Sequence, residues 1–207
     1  MFSEGMEYIE MKKFVHRDVR ADNVLVNGDE QVKIADFGLA RDEEYTASET
    51  SKYPVRWASP EVLSMRLFSS KADVWSFGVM ITEVMTYGMK PYPSMNIEKV
   101  SSRVHIHFHQ QFQVFFHVSE KNIMDRPEGL SDPMWNVCLG TWNFDPAKRP
   151  PFYKVRKQLE EIVEAGLRKS PTAGWKLIQN ARLMTRQDSK ISILGYQHSG
   201  FDPQKTK

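Results

Sequence analysis

The sequence predicts an α+β fold that is mostly helical and carries one small β-hairpin. Residues 72–87 are apolar nearly all round, which is typical of a buried helix. Two further stretches, 133–142 and 152–168, also predict helices. The short runs 24–26 and 32–34 are rich in β-branched residues, and they flank a turn.

A helical pattern also begins the chain. Phe2, Met6 and Ile9 are spaced so that they share one helix face. Lys12 and Lys13 follow, and cations suit the negative end of the helix dipole. The first helix is therefore expected to end near residue 13.

The turn and the long loop after it organise the middle of the chain. Asn27-Gly28 lies between the two short runs, and this pair tolerates the positive φ of a tight hairpin turn. Residues 36–61 are polar and lack a steady period. A loop of that length in a compact domain is usually functional.

Composition excludes several classes of protein. The formal net charge of the 207 residues is +2, too small to argue for nucleic acid or an anionic membrane as partner. One cysteine, Cys138, cannot form an internal disulfide, and it fits a reducing, cytoplasmic location and a place in the core. No run approaches the roughly 20 apolar residues that cross a bilayer, and no secretory signal is visible.

Two polar motifs flank the predicted hairpin. Residues 16–23 have the form H-R-D-x-x-x-x-N, and the sequence D-F-G follows the second run. Asp18 suits the acceptance of a proton from an attacking hydroxyl, and the side chains of Asn23 and Asp36 offer the oxygen ligands that Mg²⁺ prefers. Phosphoryl transfer needs this combination. The alternative, that these side chains only cap turns and satisfy a loop, does not explain their order, spacing and hairpin together.

With Ser59-Pro60-Glu61 downstream, these motifs resemble the protein kinase family, and specifically the C-terminal lobe of a protein tyrosine kinase. The resemblance implies a protein kinase-like fold in a partial kinase domain over 1–168, followed by an unassigned tail over 169–207. It implies ATP and Mg²⁺ as cofactors and proteins bearing tyrosine as substrates in signal transduction. Residues 36–61 resemble the activation segment of this family.

The resemblance also implies a role for each matching residue. Asp18 is expected to be the catalytic aspartate, and Asn23 and Asp36 the ligands of ATP-bound Mg²⁺. Tyr45 follows an acidic run and resembles the activation-segment phosphosite, with Arg17 and Arg41 as cationic partners for the added phosphate. The residues expected to hold the site in shape are His16, Arg17, Phe37, Gly38, Glu61, Asp73 and Arg149; the Glu61 and Arg149 charges should pair, and Asp73 should brace the catalytic loop.

Two features favour tyrosine over serine as the acceptor. Arg20 stands two residues after Asp18, as in Src-like non-receptor tyrosine kinases, where serine/threonine kinases usually carry lysine. Pro54 and Trp57 lie in a segment that resembles the tyrosine-kinase pattern P-[IV]-[KR]-W, and they are expected to seat the substrate ring. Asp22 departs from the Src-like alanine and adds a charge beside Asn23.

The glycine-rich loop, the strand lysine and the hinge that grip ATP are not found in the sequence. We therefore expect the chain to lack the N-terminal lobe and to be nearly inactive alone. The alternative is a non-catalytic kinase-lobe module that acts as a decoy or scaffold.

Residues 101–122 interrupt the resemblance, with an atypical insertion at about 105–121. A lineage-specific loop and translated non-coding sequence retained in a gene model are the two interpretations, and we favour the second. Three alternating histidines would share one face of a strand and suggest zinc only weakly. The segment also contains a run of apolar residues, including Val114, that has no evident place in a core. The members of these sets are His105, His107 and His109, and Phe108, Phe112, Val114, Phe115 and Phe116. In the tail, Tyr196 matches an inhibitory tyrosine poorly.

Overall fold

A computed structural model of the chain describes residues 2–28, 31–42, 44–48, 51–95 and 113–169. The helices of the described part are α1 (Phe2–Met11), α2 (Pro60–Met65), α3 (Ser70–Met85), α4 (113–119), α5 (Asp132–Thr141) and α6 (Phe152–Lys169). The strands are β1 (Phe14–Val15), β2 (Val24–Val26), β3 (Val32–Ile34), β4 (Arg41–Asp42), β5 (Tyr45–Thr46) and β6 (Leu67–Phe68). These strands form three antiparallel pairs, β1–β4, β2–β3 and β5–β6.

Helix α3 runs through the core, as its apolar sequence predicts. Val74 and Val79 are fully buried, and Trp75 is 1% exposed. The Ser69 hydroxyl caps the first turn by accepting a hydrogen bond from the Ala72 amide. Gly78 lets α5 approach closely, because a Cβ there would lie 2.1 Å from the Thr141 hydroxyl oxygen.

The predicted hairpin is confirmed, but the tight Asn-Gly turn is not: the connection closes between Asn27 and Gln31, and Gly28 lacks the positive φ expected of it. Strands β2 and β3 pair with Leu25 opposite Lys33. At the turn, Asn27 closes the connection, because its amide donates to the Gln31 carbonyl at 3.1 Å and its side-chain oxygen accepts from the Gln31 amide at 2.8 Å. Ile34 packs against Gly5 of α1, which ties the hairpin to the first helix.

Helices α1 and α6 lie side by side although they stand at opposite ends of the described chain. The Glu10 carboxylate accepts a hydrogen bond from the Phe152 amide at 2.8 Å, at the start of α6. The Phe77 ring lies between the rings of Phe2 and Phe152, with centroids 6.0 and 5.7 Å away. Cys138 is fully buried on α5, as a small core residue should be.

The expectation that no core needs the apolar run was wrong for Val114. Residues 113–119 form α4, and Val114 and Val118 are each 1% exposed within the main core. His117 lies between them on the chain, and its ring contacts the ring of Tyr92 at 5.6 Å. Phe116 points away and is 56% exposed. The helix buries its valines because i and i+4 positions share one face.

Several predictions fall outside the described residues. They concern the three alternating histidines and Tyr196. The loop at 36–61 is mostly irregular, with β4, β5 and short 3₁₀ turns at Phe37–Leu39 and Val55–Trp57. Among the described helices, none is both long and apolar enough to cross a membrane.

Candidate catalytic site

The stretch 16–23, which we call the catalytic loop, is hydrogen-bonded to a buried carboxylate of α3. The amides of His16 and Arg17 donate to the two carboxylate oxygens of Asp73 at 2.7 and 2.9 Å. Burial raises the pKa of the Asp73 carboxyl to about 7, against the effect of these two amide bonds. Arg17 has a φ of 70°, so these bonds hold the loop in a left-handed conformation that a non-glycine residue rarely adopts. The bracing expected of Asp73 is therefore present.

His16 joins the two motifs and is 1% exposed. Its Nε2 lies 3.1 Å from the Ala35 carbonyl oxygen, and its Nδ1 lies 3.3 Å from the Asp18 amide. Both contacts are satisfied by one neutral tautomer, in which Nε2 donates and Nδ1 accepts. Burial also lowers the pKa of His16, which favours that neutral form. The His16 ring contacts the Phe37 ring of D-F-G at 5.0 Å.

Asn23 ties the catalytic loop to the hairpin. Its side-chain amide nitrogen donates to the Asp18 carbonyl at 2.7 Å, and its own carbonyl accepts from the Ala35 amide at 2.9 Å. The first bond uses the side-chain nitrogen of Asn23 as the donor and leaves the side-chain oxygen outside that bond. The second bond makes Ala35 the backbone partner of Asn23 across the hairpin, and Asp36 directly follows Ala35.

The carboxylates of Asp18 and Asp36 differ in burial and in hydrogen bonding. The Oδ1 atom of Asp18 is buried and has no hydrogen-bond partner in the described part of the chain. Asp36 adopts a left-handed conformation with φ of 59°, and its Oδ1 accepts from the Gly38 amide at 3.2 Å. Asp36 is exposed, and Phe37 is 50% exposed. The three predicted residues Asp18, Asn23 and Asp36 therefore converge around one end of the hairpin.

The donor set fits Mg²⁺ rather than a softer metal. Asn23 and Asp36 supply an amide oxygen and a carboxylate, which are hard ligands for an ion that keeps several waters and binds substrate phosphates. Within the described ranges, no group of three or more His, Cys, Asp or Glu side chains is placed to hold a metal. Asn23 and Asp36 would therefore supply two oxygen ligands to a bound Mg²⁺ ion.

Arg17 lies beneath the activation segment. Its Nη1 donates to the Leu39 carbonyl at 3.0 Å, and its guanidinium lies 4.2 Å from the ring centroid of Phe68 and 5.0 Å from that of Tyr45. The Nε and Nη2 atoms of Arg17 are buried and have no hydrogen-bond partner in the described chain. Arg41 is exposed and bonds only locally, to the Ala40 carbonyl, in the described contacts. Of the two arginines expected to pair with a phosphate on Tyr45, Arg17 is therefore the one whose guanidinium contacts the Tyr45 ring in the described part of the chain.

The expected substrate platform differs from the prediction at Trp57. The Trp57 ring is 6% exposed, and its indole nitrogen donates to the Glu83 carboxylate at 2.6 Å. The Arg20 guanidinium covers one face of the ring at 4.3 Å. Pro54 is partly exposed and precedes the short turn that carries Trp57. Trp57 therefore cannot present an open face to a substrate, because core packing and Arg20 cover it.

Glu61 and Arg149 form the expected buried pair. The two nitrogens Nη1 and Nη2 of Arg149 lie 2.6 and 2.8 Å from the two carboxylate oxygens of Glu61. The Arg149 side chain has no exposed surface, and that of Glu61 is 5% exposed. This bidentate pair ties the end of the activation segment to the turn before α6.

Sequence reasoning missed two residues of the site. Glu83 is 5% exposed on α3 and accepts hydrogen bonds from Trp57 and, at 3.1 Å, from the Ala21 amide of the catalytic loop. Burial raises the pKa of Glu83. Arg56 is 7% exposed and donates to the Pro91 carbonyl at 2.5 Å. The available signal for Glu83 was a lone carboxylate near the end of an almost wholly apolar helix.

Comparison with known proteins gives a consistent result. The sequence profile of the protein tyrosine and serine/threonine kinase family matches residues 1–159. The megakaryocyte-associated tyrosine-protein kinase of Rattus norvegicus is 42% identical over 158 residues, which cover 76% of this chain and 31% of that protein. The tyrosine-protein kinase abl-1 of Caenorhabditis elegans is 39% identical over 166 residues, 79% of this chain and 12% of that protein. The tyrosine-protein kinase transforming protein Abl of Abelson murine leukemia virus is 37% identical, over 78% of this chain and 20% of that protein. The chain therefore spans less than a third of the length of these relatives.

Proposed function

We propose that this chain, which belongs to the protein tyrosine and serine/threonine kinase family, supplies the catalytic and substrate-binding part of a protein tyrosine kinase. The reaction is transfer of the ATP γ-phosphate to the hydroxyl of a tyrosine in a protein. The observation that carries the proposal is the convergence of Asp18, Asn23 and Asp36 around one end of the hairpin. The relatives described above are named tyrosine-protein kinases, which supports tyrosine as the acceptor.

The chain's own residues account for positioning and for the proton. Asp18 is partly exposed, and its carboxylate orients the tyrosine hydroxyl and accepts its proton. Asn23 and Asp36 would hold Mg²⁺, which when bound offsets the negative charge of the phosphates. His16 and Asp73 keep the catalytic loop and the D-F-G turn in register, so the reacting groups are placed before substrate arrives.

The preference for tyrosine rests on Arg20 and Pro54, because Trp57 itself is covered. Arg20 lies over Trp57 and stands two residues beyond Asp18, so its partly exposed guanidinium, rather than the indole, is proposed to form the substrate platform. We assign the chain to the C-terminal lobe of a Src-like, non-receptor kinase on these two features. The net charge of +2 and the single cysteine fit a cytoplasmic protein.

Tyr45 is proposed as the regulatory phosphosite of the activation segment. Its ring already lies 5.0 Å from the Arg17 guanidinium, which has two buried nitrogens without a described partner. A phosphate on Tyr45 would add about two negative charges beside these donors. Charge-assisted hydrogen bonds would then order the segment.

The test is phosphorylation by the full-length protein that contains this chain. We expect Mg²⁺-dependent transfer of phosphate to a tyrosine peptide, and Asp18→Asn should lower kcat by about 100-fold or more. Asp132→Asn is the matched control, because that carboxylate is 83% exposed at the start of α5, and it should leave kcat unchanged. A folded wild-type protein without tyrosine transfer, or an Asp18→Asn protein with full activity, would contradict the proposal; the first result favours the interaction module.

A further inference from the structure

Asp22 is the residue of the catalytic loop that the reaction does not use, and it contacts Arg20. The Arg20 Nη2 atom donates to the Asp22 carboxylate, and the two side chains are 29% and 63% exposed. The central carbon of the same guanidinium lies 4.3 Å from the centroid of the Trp57 ring. Arg20 is thus held from one side by an aromatic face and from another by a carboxylate.

A second carboxylate acts on the same guanidinium. Glu83 lies beneath Trp57, bonded to its indole nitrogen, and its charge interacts with those of Arg20 and Asp22. Glu83 has two protein donors of its own, the Trp57 indole and the Ala21 amide. The platform therefore carries one positive and two negative side chains; Glu83 is buried and bonded within the protein, and Asp22 is the exposed carboxylate that contacts Arg20.

We propose that Asp22 is a specificity-determining residue, which neutralises Arg20 and makes the substrate platform select against acidic residues beside the acceptor tyrosine. The inference rests on the proposed kinase function and concerns the same site. An acidic substrate residue that approaches Arg20 must compete with Asp22, which is part of the same loop and needs no binding step to reach the guanidinium.

The exposure of the groups indicates that Asp22 acts toward substrate rather than toward the metal ligand beside it. Asn23 is 8% exposed, and its side chain is fixed by the Asp18 carbonyl. The Asp22 carboxylate instead is exposed and directed to Arg20. Removal of the Asp22 charge should accordingly change the KM for peptide, and it should leave the KM for Mg²⁺-ATP as it was.

The chain contains a suitable probe. Residues 41–48 read Arg-Asp-Glu-Glu-Tyr-Thr-Ala-Ser, and a second peptide with Asn-Gln-Gln in place of Asp-Glu-Glu has the same shape without the charges. Wild-type full-length protein, Asp22→Asn, Arg20→Gln and the double variant are assayed on both peptides, with Asp132→Asn as control. Binding of the same two peptides with Phe in place of Tyr is measured by fluorescence anisotropy, which does not need phosphate transfer.

We expect Asp22→Asn to raise the acidic-to-amide ratio of kcat/KM by about fivefold, the upper range for one exposed ion pair. This increase in the ratio should come from a lower KM for the acidic peptide. It should become smaller as the salt concentration rises, and it should be absent in the double variant. An unchanged ratio, a gain that survives Arg20→Gln, or a shift in the KM for Mg²⁺-ATP alone would overturn the inference. If no protein transfers phosphate, the proposed function fails, while the anisotropy ratio still decides the role of Asp22.

Discussion

Replacement of Arg149 by leucine tests how strongly the activation segment depends on one buried charge. In the folded chain, Arg149 makes two bonds to Glu61 at 2.6 and 2.8 Å. It also donates to the carbonyls of Asn143 at 2.7 Å and Lys71 at 2.9 Å. Leucine fills part of the volume but offers no donor, so Arg149→Leu leaves the Glu61 carboxylate buried without its cation.

The cost follows from these contacts. A buried ion pair that loses one partner typically costs 3–5 kcal/mol, so the stranded Glu61 carboxylate alone should cost about 4 kcal/mol. The two carbonyls that lose a donor would each add about 1 kcal/mol or more where water cannot reach them. The expected loss of unfolding free energy is therefore about 6 kcal/mol or more, which exceeds the stability of a marginal domain at roughly 5 kcal/mol.

Urea unfolding of the chain, followed by tryptophan fluorescence, measures the loss. Lys148→Gln is the matched control, since Lys148 is the neighbouring residue, 70% exposed, and pairs with Asp145 only at 3.6 Å. It should change the unfolding free energy by less than about 0.5 kcal/mol. The double variant Glu61→Met with Arg149→Leu removes the stranded charge and should recover at least about 2 kcal/mol.

The reasoning is refuted if Arg149→Leu costs less than about 1 kcal/mol, because the geometry would then not reflect a desolvated pair. It is also refuted if the double variant is as unstable as the sum of the two single variants. That second result would mean that Glu61 and Arg149 contribute independently, through their other contacts alone.

Three further predictions use other contacts of the core. Gly78→Ala should cost about 1–3 kcal/mol through overpacking, since a Cβ would lie 2.7 Å from the Trp142 indole nitrogen, whereas Gly140→Ala has no atom within 4 Å and should be neutral or stabilising in the same urea assay. Val114→Ala should cost roughly 1–3 kcal/mol and Phe116→Ala almost nothing, as thermal unfolding would show; equal costs would contradict the burial of α4. The pKa of Asp73 in the folded state, about 7, lies above its value in the unfolded state, so the stability that its protonation contributes is complete below about pH 4 and is lost as the pH rises toward 7. The difference in unfolding free energy between wild type and Asp73→Asn should therefore shrink from about pH 4 to about pH 7. A constant difference would contradict the raised pKa.

The sequence predicted the parts of the fold that depend on local pattern. The apolar run of α3 and the two β-branched runs with Asn-Gly between them each determine their own element, so they required no knowledge of partners. The motif residues Asp18, Asn23 and Asp36 could be placed because the hairpin between them fixes their separation. The burial of Cys138 could be predicted from its position on a helix alone.

The remaining parts depend on contacts between distant segments. The indole of Trp57 is bonded to Glu83, which stands 26 residues away, and the apolar helix around Glu83 does not indicate which residue is its partner. The packing of α4 depends on Tyr92 and the main core, so its valines resembled an unpartnered apolar run when they were considered alone. Pattern cannot report such partners, because side-chain spacing describes one element at a time.

The two amide bonds from the catalytic loop to Asp73 have a consequence for cooperativity. The loop makes its left-handed bend at Arg17 against a backbone preference of about 1–2 kcal/mol, and it is held there by a helix 56 residues further along the chain. Such a segment has no local folding equilibrium of its own, because opening it breaks bonds that belong to α3. The conformation of the loop is therefore lost together with the core rather than before it. Mutations that destabilise the core far from any substrate should consequently disorder the loop and lower the activity.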